Sequence, residues 1–207
     1  MSEIIGLFPT PVMRSERLLD AASVASYVQR IKQLRKTANA RSKSLCHTEI
    51  VDPARDEGFA RLDNVLCNQL AEFGKTLFGE ELHWSIKEMW FNIMEPGGFQ
   101  SIHNHANSLI SGVIYLTDAH PSCRIVFSKG LGGTDYTFNN FNAKAAVGPY
   151  NGVKWFLPQI SAGDLILFPS YLLHEVPENR GPQRISIAFN AIPDRLNSSG
   201  YTIRLGK

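Results

Sequence analysis

The chain has 207 residues, 43% of them hydrophobic and 19% charged, with 21 basic and 19 acidic side chains giving a formal charge of +2. That balance excludes wholesale disorder and supplies no strong electrostatic pull toward nucleic acid or an anionic membrane. Cys46, Cys67 and Cys123 are odd in number and lack CxxC spacing, which argues against a disulfide framework and a thiolate zinc site and for a reducing, cytoplasmic setting.

The start, MSEIIGLFPTPVMRSERLL, carries Glu3 early and prolines within a short apolar run, unlike a signal peptide. No window approaches the roughly 20 apolar residues of a membrane span. A soluble intracellular protein with one domain over 1–207 is expected. Residues 4–13 read as an extended apolar segment, because Pro9 and Pro11 push their predecessors toward β or polyproline conformations, and the edge of a sheet is the expected place. Residues 18–37 place Leu19, Ala22, Val24, Tyr27, Val28, Ile31 and Leu34 at helical steps. A second stripe over about 57–78 joins Phe59, Leu62, Val65, Leu66, Leu70, Phe73 and Leu77 and stops near Gly79. Region 1–83 is thus expected to hold one strand and two helices, with both helices ahead of the remaining strands.

From residue 84 the chain turns to short strand-like runs broken by Gly, Pro and Asn, at 85–94, 108–117, 123–128, 153–158, 164–170 and 184–192. Six such runs suggest a sandwich or barrel over 84–193, which leaves 194–207 as a C-terminal strand or tail. The Gly- and Asn-rich stretch 129–152 is too long for a simple turn, and long loops at barrel mouths often bind or cover substrates, so a lid is expected there.

Six histidines are present, and their distribution is uneven. His103 and His105 form H-N-H, and on an extended segment residues i and i+2 point the same way, so two imidazoles can reach one ion. His174 follows 69 residues after His105, just beyond the alternating run GDLILFPSYLL. A barrel can bring that strand end beside the pair. Two close ligands and one distant ligand occupy one face of an octahedron and leave three positions open, as Fe(II) chemistry with a bidentate co-substrate and dioxygen requires. His47, His83 and His120 read as ordinary structural or surface histidines.

Arg184 stands ten residues after His174 and opens the run RISIAFN. A dicarboxylate chelating a metal at one end needs a cation for its far carboxylate, and Arg offers a two-pronged contact. Ser186 shares the strand face and can donate a hydroxyl hydrogen bond to the same group, while Tyr115, closing SLISGVIYL, is a third candidate. The competing structural role for Arg184 is a surface ion pair with Glu175 or Glu178.

The succession HNH, SGVIYL, GDLILFPS, HEV and RISIAFN resembles the Fe(II)/2-oxoglutarate-dependent oxygenase superfamily, in the branch containing prolyl hydroxylases. The start LFPTPV, with HxHxNSxxSGVxYL and FPSxLxHxVxxN…RxSIxFN, more closely resembles a family of 2-oxoglutarate oxygenases found in bacteria and phages. The resemblance implies an α+β protein whose core is a double-stranded β-helix (a cupin-like jelly roll) with N-terminal helices packed on it. It implies Fe(II) and 2-oxoglutarate as cofactor and co-substrate, and hydroxylation of a small-molecule or peptide substrate by dioxygen with release of succinate and CO2. It assigns iron to His103, His105 and His174, and the 2-oxoglutarate anchor to Arg184, Ser186 and Tyr115. His105 departs from the superfamily pattern, which has a carboxylate there; a register with His105 first and Asn107 second keeps only a weak ligand.

Two rivals remain. A cupin-like enzyme or metal-binding protein would share the barrel and HxH but need no 2-oxoglutarate anchor, and Asn107, Ser108, Leu109 and Ile110 stand where cupins generally add Glu. A nucleic-acid-associated protein would use the six basic residues of 30–43, which a solvated helix face explains at least as well.

Overall fold

In the computed structural model, residues 2–39, 42–130 and 142–206 are described. Helix α1 (Ala21–Ile31) starts where the Asp20 carboxylate accepts the Ser23 amide at 2.7 Å. Helix α2 (Ala60–Phe78) ends where Gly79 takes a φ of 71° and donates its N–H to the Lys75 carbonyl at 2.9 Å. Tyr27 and Ile31 of α1, with Leu62, Leu66, Leu70 and Phe73 of α2, form one buried stripe.

The strands are β1 (Met13–Ser15), β2 (Lys36–Ala38), β3 (Leu45–Thr48), β4 (Trp84–Met94), β5 (Gln100–His103), β6 (Ile110–Tyr115), β7 (Val126–Ser128), β8 (Lys154–Phe156), β9 (Leu165–Pro169), β10 (His174–Val176), β11 (Arg184–Pro193), β12 (Arg195–Ser198) and β13 (Tyr201–Arg204). A seven-stranded sheet runs β1-β9-β6-β11-β4-β3-β2 and a four-stranded sheet runs β5-β10-β7-β8, with all pairs antiparallel; β12 and β13 form a separate hairpin. The larger sheet is covered on one face by the helices and on the other by the smaller sheet, the arrangement of a double-stranded β-helix. Its outer residues Met89, Phe91, Ile93, Ile185, Ile187, Phe189 and Ala191 join the helical stripe in one core. Between the sheets, Tyr115, Phe127, Ile166 and Phe168 form a second core, with the rings of Phe127 and Phe168 5.1 Å apart.

The six anticipated strand runs are all present, with 123–128 shortened to β7 because a 3-10 turn occupies Pro121–Cys123. Three expectations need correction. Strands β2 and β3 lie between the helices, so the helices do not precede all of the sheet. Within 4–13 only Met13 reaches a strand, and β1 forms the sheet edge by pairing with β9, whereas Ile4, Ile5, Leu7 and Phe8 are exposed. The basic run 30–43 ends α1 and enters the β2–β3 hairpin; Arg30 is bound to Asp56 at 2.5 Å, and Ala40 and Arg41 lie outside the described residues. The central part of the anticipated lid, 131–141, also lies outside them. No helix among the described residues is long and apolar enough to cross a membrane.

Candidate metal and 2-oxoglutarate site

Alternation along β11 divides its side chains between two environments. Ile185, Ile187, Phe189 and Ala191 enter the helical core, so Arg184, Ser186, Ala188 and Asn190 face the smaller sheet. Register extends this inner face to Tyr115 and Ser111 on β6, and to Asn92, Trp90 and Glu88 on β4.

Three histidines meet it from the other side. His103 at the end of β5 and His174 at the start of β10 are directly paired across the antiparallel ladder, and His174 also pairs with Phe127 of β7. His105 lies beyond β5, tied to the end of β9 by a 3.0 Å bond from its backbone N–H to the Ser170 carbonyl. Ring centroids are 4.3 Å apart for His103 and His174, and 5.1 Å for each of the other two pairs. One ligand atom from each ring lies within 4.8 Å of the others, a group that could hold a metal ion. His174 is packed edge-on against Phe168 at 4.7 Å, and Trp90 stands 6.0 Å from His105.

The donor set suits a divalent metal. His103 Nδ1 is 2.7 Å from the Ser101 carbonyl and His174 Nδ1 is 2.9 Å from the Leu172 carbonyl. A carbonyl oxygen only accepts, so both rings carry the proton on Nδ1 and leave the Nε2 lone pair for a metal. Burial, reinforced by the neighbouring His103, pushes His174 down to about 3 and His105 down to about 4; burial also lowers His103. All three rings are therefore neutral at physiological pH, the form that ligates.

Arg184 is 4% exposed and has no carboxylate partner among the described residues. Its Nη1 donates to Ser186 Oγ at 3.3 Å and its guanidinium lies 4.8 Å from the centroid of the Tyr115 ring. Of the two suggested surface partners, Glu175 is bound instead by Lys154 at 2.6 Å, and Glu178 makes no ion pair with Arg184. Arg184 Nε and the Tyr115 hydroxyl are both buried without a hydrogen-bond partner. A buried cation with one unsatisfied donor of its own, beside a second on the Tyr115 phenol, suits an anion, since leaving such groups unpaired costs several kcal/mol.

A histidine triad that could hold a metal ion inside a jelly roll, with a buried arginine that has no carboxylate partner among the described residues, fits the class of metal-dependent jelly-roll enzymes that take an acidic co-substrate. Residues 88–190 match the family described as "Putative 2OG-Fe(II) oxygenase". The chain belongs to the 2OG-Fe(II) oxygenase family, an Fe(II)- and 2-oxoglutarate-dependent class of dioxygenases. HygX from Streptomyces hygroscopicus, solved with nickel and 2-oxoglutarate, is similar with a TM-score of 0.66 at 14% identity over 89% of this chain and 83% of its own. SnoN, a non-haem α-ketoglutarate-dependent epimerase from nogalamycin biosynthesis, gives 0.65 at 14% identity over 90% and 80%. A Pseudomonas putida prolyl-4-hydroxylase gives 0.59 at 18% identity over 87% and 92%. No curated protein matches the sequence.

The structure brings His103, His105 and His174 together, and separately groups Arg184, Ser186 and Tyr115. Elsewhere, His47 contacts the Thr48 carbonyl and His120 the Ser122 hydroxyl. Sequence reasoning missed Glu88 and Asn190, which share the inner face with the site. Alternation in RISIAFN places Asn190 in phase with Arg184 and Ser186 and could have exposed it. Glu88 was harder to find, because a bulge at Lys87 shifts the phase of β4, so that Ile86 faces the helical core.

Proposed function

We propose that His103, His105 and His174 hold Fe(II), that Arg184, Ser186 and Tyr115 bind the far carboxylate of 2-oxoglutarate, and that the chain hydroxylates a small-molecule or peptide substrate. Bound Fe(II) supplies the dioxygen activation that couples decarboxylation of 2-oxoglutarate to succinate and CO2 with oxidation of the substrate. The histidines contribute neutral lone pairs from one side, leaving the opposite side for co-substrates. Arg184 contributes fixed positive charge in a dry setting, with Ser186 and Tyr115 as hydroxyl donors on the same face. Phe168 and Phe127 keep water from the His174 side.

The observation that carries this reading is Arg184: a buried guanidinium with no carboxylate partner among the described residues, next to an unpartnered buried phenol. A cupin-like protein has no use for such an anchor, so this pocket favours the oxygenase over that rival. Hygromycin B bound in HygX supports a small-molecule substrate, and likeness to a prolyl-4-hydroxylase supports a peptide one. Titration of the anaerobic Fe(II) protein with 2-oxoglutarate tests the assignment through the metal-to-ligand charge-transfer band. The band is expected in the parent, absent in His174→Ala, and shifted to much higher 2-oxoglutarate concentration in Arg184→Ala. Saturation at the same concentration in Arg184→Ala would sink the anchor.

A further inference from the structure

Three neutral imidazoles offer a divalent cation no charge, and Arg184 adds another positive charge to the same interior. Among the described residues the inner face of β4 and β11 carries one carboxylate, Glu88, which shares the phase of Trp90 and Asn92 on β4 and is paired with Asn190 across the ladder. Glu88 reaches the site through one residue. Asn190, 2% exposed, donates from Nδ2 to Glu88 Oε1 at 2.7 Å and places the same Nδ2 3.4 Å from His105 Nδ1. Its Oδ1 accepts from Ser111 Oγ at 2.7 Å, and Ser111 Oγ is in turn 2.8 Å from Ser170 Oγ. Ser170 also accepts the backbone N–H of His105 through its carbonyl. The Asn190 amide is thereby held at both ends, oxygen toward a hydroxyl and nitrogen toward a carboxylate, so it cannot turn over without losing both bonds. At 3.4 Å its contact with the ring is longer than an ordinary hydrogen bond, so it limits where the imidazole stands without deciding which nitrogen carries the proton.

We propose that Asn190 and Glu88 are positioning residues for His105, with Asn190 setting the place of the ring and Glu88 supplying, one amide away, the negative charge that the three-histidine ligand set lacks. This rests on the metal site proposed above. Residues behind a ligand that fix its orientation and the charge around it typically alter metal affinity by ten- to a hundredfold. Lys87 gives the proposal a sign. Its ammonium lies 3.2 Å from Glu88 Oε1, so its positive charge offsets the negative charge that Glu88 brings.

The test is titration of the metal-free full chain with Co(II), read by the visible absorption of the bound ion. Glu88→Gln keeps a carbonyl to accept the Asn190 N–H and removes only the charge. It is expected to weaken Co(II) binding about tenfold or more, while the Tm of the metal-free chain stays within about 2 °C of the parent, as a partly exposed substitution allows. Lys87→Gln is expected to tighten binding, by about two- to fivefold for a half-buried charge. A purely structural role for the network predicts no such opposition. Glu88→Gln binding within a factor of about two of the parent, or Lys87→Gln weakening it as Glu88→Gln does, overturns the proposal. If the parent fails to bind Co(II), or His174→Ala binds it as tightly, the metal site itself falls and this inference with it. Binding by the parent that is lost in His174→Ala but unchanged in Glu88→Gln removes this inference alone.

Discussion

The charge of Arg184 is buried and unanswered among the described residues. Lys in its place would keep the charge and lose the planar fork, so Arg184→Lys is expected to raise the KM for 2-oxoglutarate by roughly tenfold or more, in proportion to one or two lost charge-assisted hydrogen bonds. Steady-state succinate formation against 2-oxoglutarate concentration checks this. The histidines make a second prediction, for the metal-free chain. His174 and His105, at about 3 and about 4, lie below the ordinary histidine value of 6.5 because burial resists the imidazolium. Below pH 6.5 the unfolded chain therefore binds protons that the folded chain refuses, and these two rings lower stability as pH falls to about 3. Urea midpoints at pH 7.0 and pH 5.0 measure it; a midpoint unchanged or higher at pH 5.0 contradicts neutral buried rings.

Two elements show how motif residues divide between chemistry and packing. Gly112, within SGVIYL, sits on β6 between Phe189 and Leu167, and an added Cβ would fall 2.2 Å from the Phe189 ring and 2.7 Å from a Leu167 methyl. The motif glycine thus serves close strand packing on the helical side, while Tyr115 three residues later faces the site. Gly112→Ala is expected to cost about 1–3 kcal/mol as overpacking, read as a lower urea midpoint with an unchanged m-value. Asp164, 1% exposed, staples β1 to the approach to β9 by accepting from Arg14 Nη2 at 2.7 Å and from the backbone N–H groups of Arg17 and Ser161. Burial pushes its carboxyl up, and these three donors together outweigh burial and hold it below the usual range. Asp164→Ala leaves the two backbone donors unpaired and Arg14 with only its 3.3 Å contact to the exposed Glu16, at an expected cost of about 3 kcal/mol in denaturant unfolding.

At the scale of the whole molecule, the residues of the proposed site come from opposite walls. β5, β10 and the chain after β5 bring the imidazoles, while β11 and β6 bring Arg184, Ser186 and Tyr115. Occupancy by metal and 2-oxoglutarate should therefore stabilise the closed jelly roll. At about a hundred times the dissociation constant the gain is ~2.7 kcal/mol, which for a protein of this size corresponds to roughly 5–10 °C in Tm. Anaerobic thermal scans with Co(II) and 2-oxoglutarate check it, and His174→Ala should show no such rise. Local order along the chain was legible in the sequence: the helical stripes, Gly79 as a stop, the six strand runs and the same-face spacing of Arg184 with Ser186 all follow from backbone periods of 3.6 and 2. The H-N-H pair and the distal His174 were legible as candidates, because few structural roles require that spacing and order. Short-range patterns do not encode the pairing of His103 with His174, the loss of Glu175 to Lys154, or the bulge at Lys87 that turns Glu88 inward. Those depend on which strands become neighbours, and tertiary packing decides that by burying two sheet faces at once. His105, the residue at which the pattern departs from its relatives, shows the division most clearly. Its candidacy as a ligand was visible from two letters' spacing, while Asn190 and Glu88 behind it come from strands that only the folded sheet brings together.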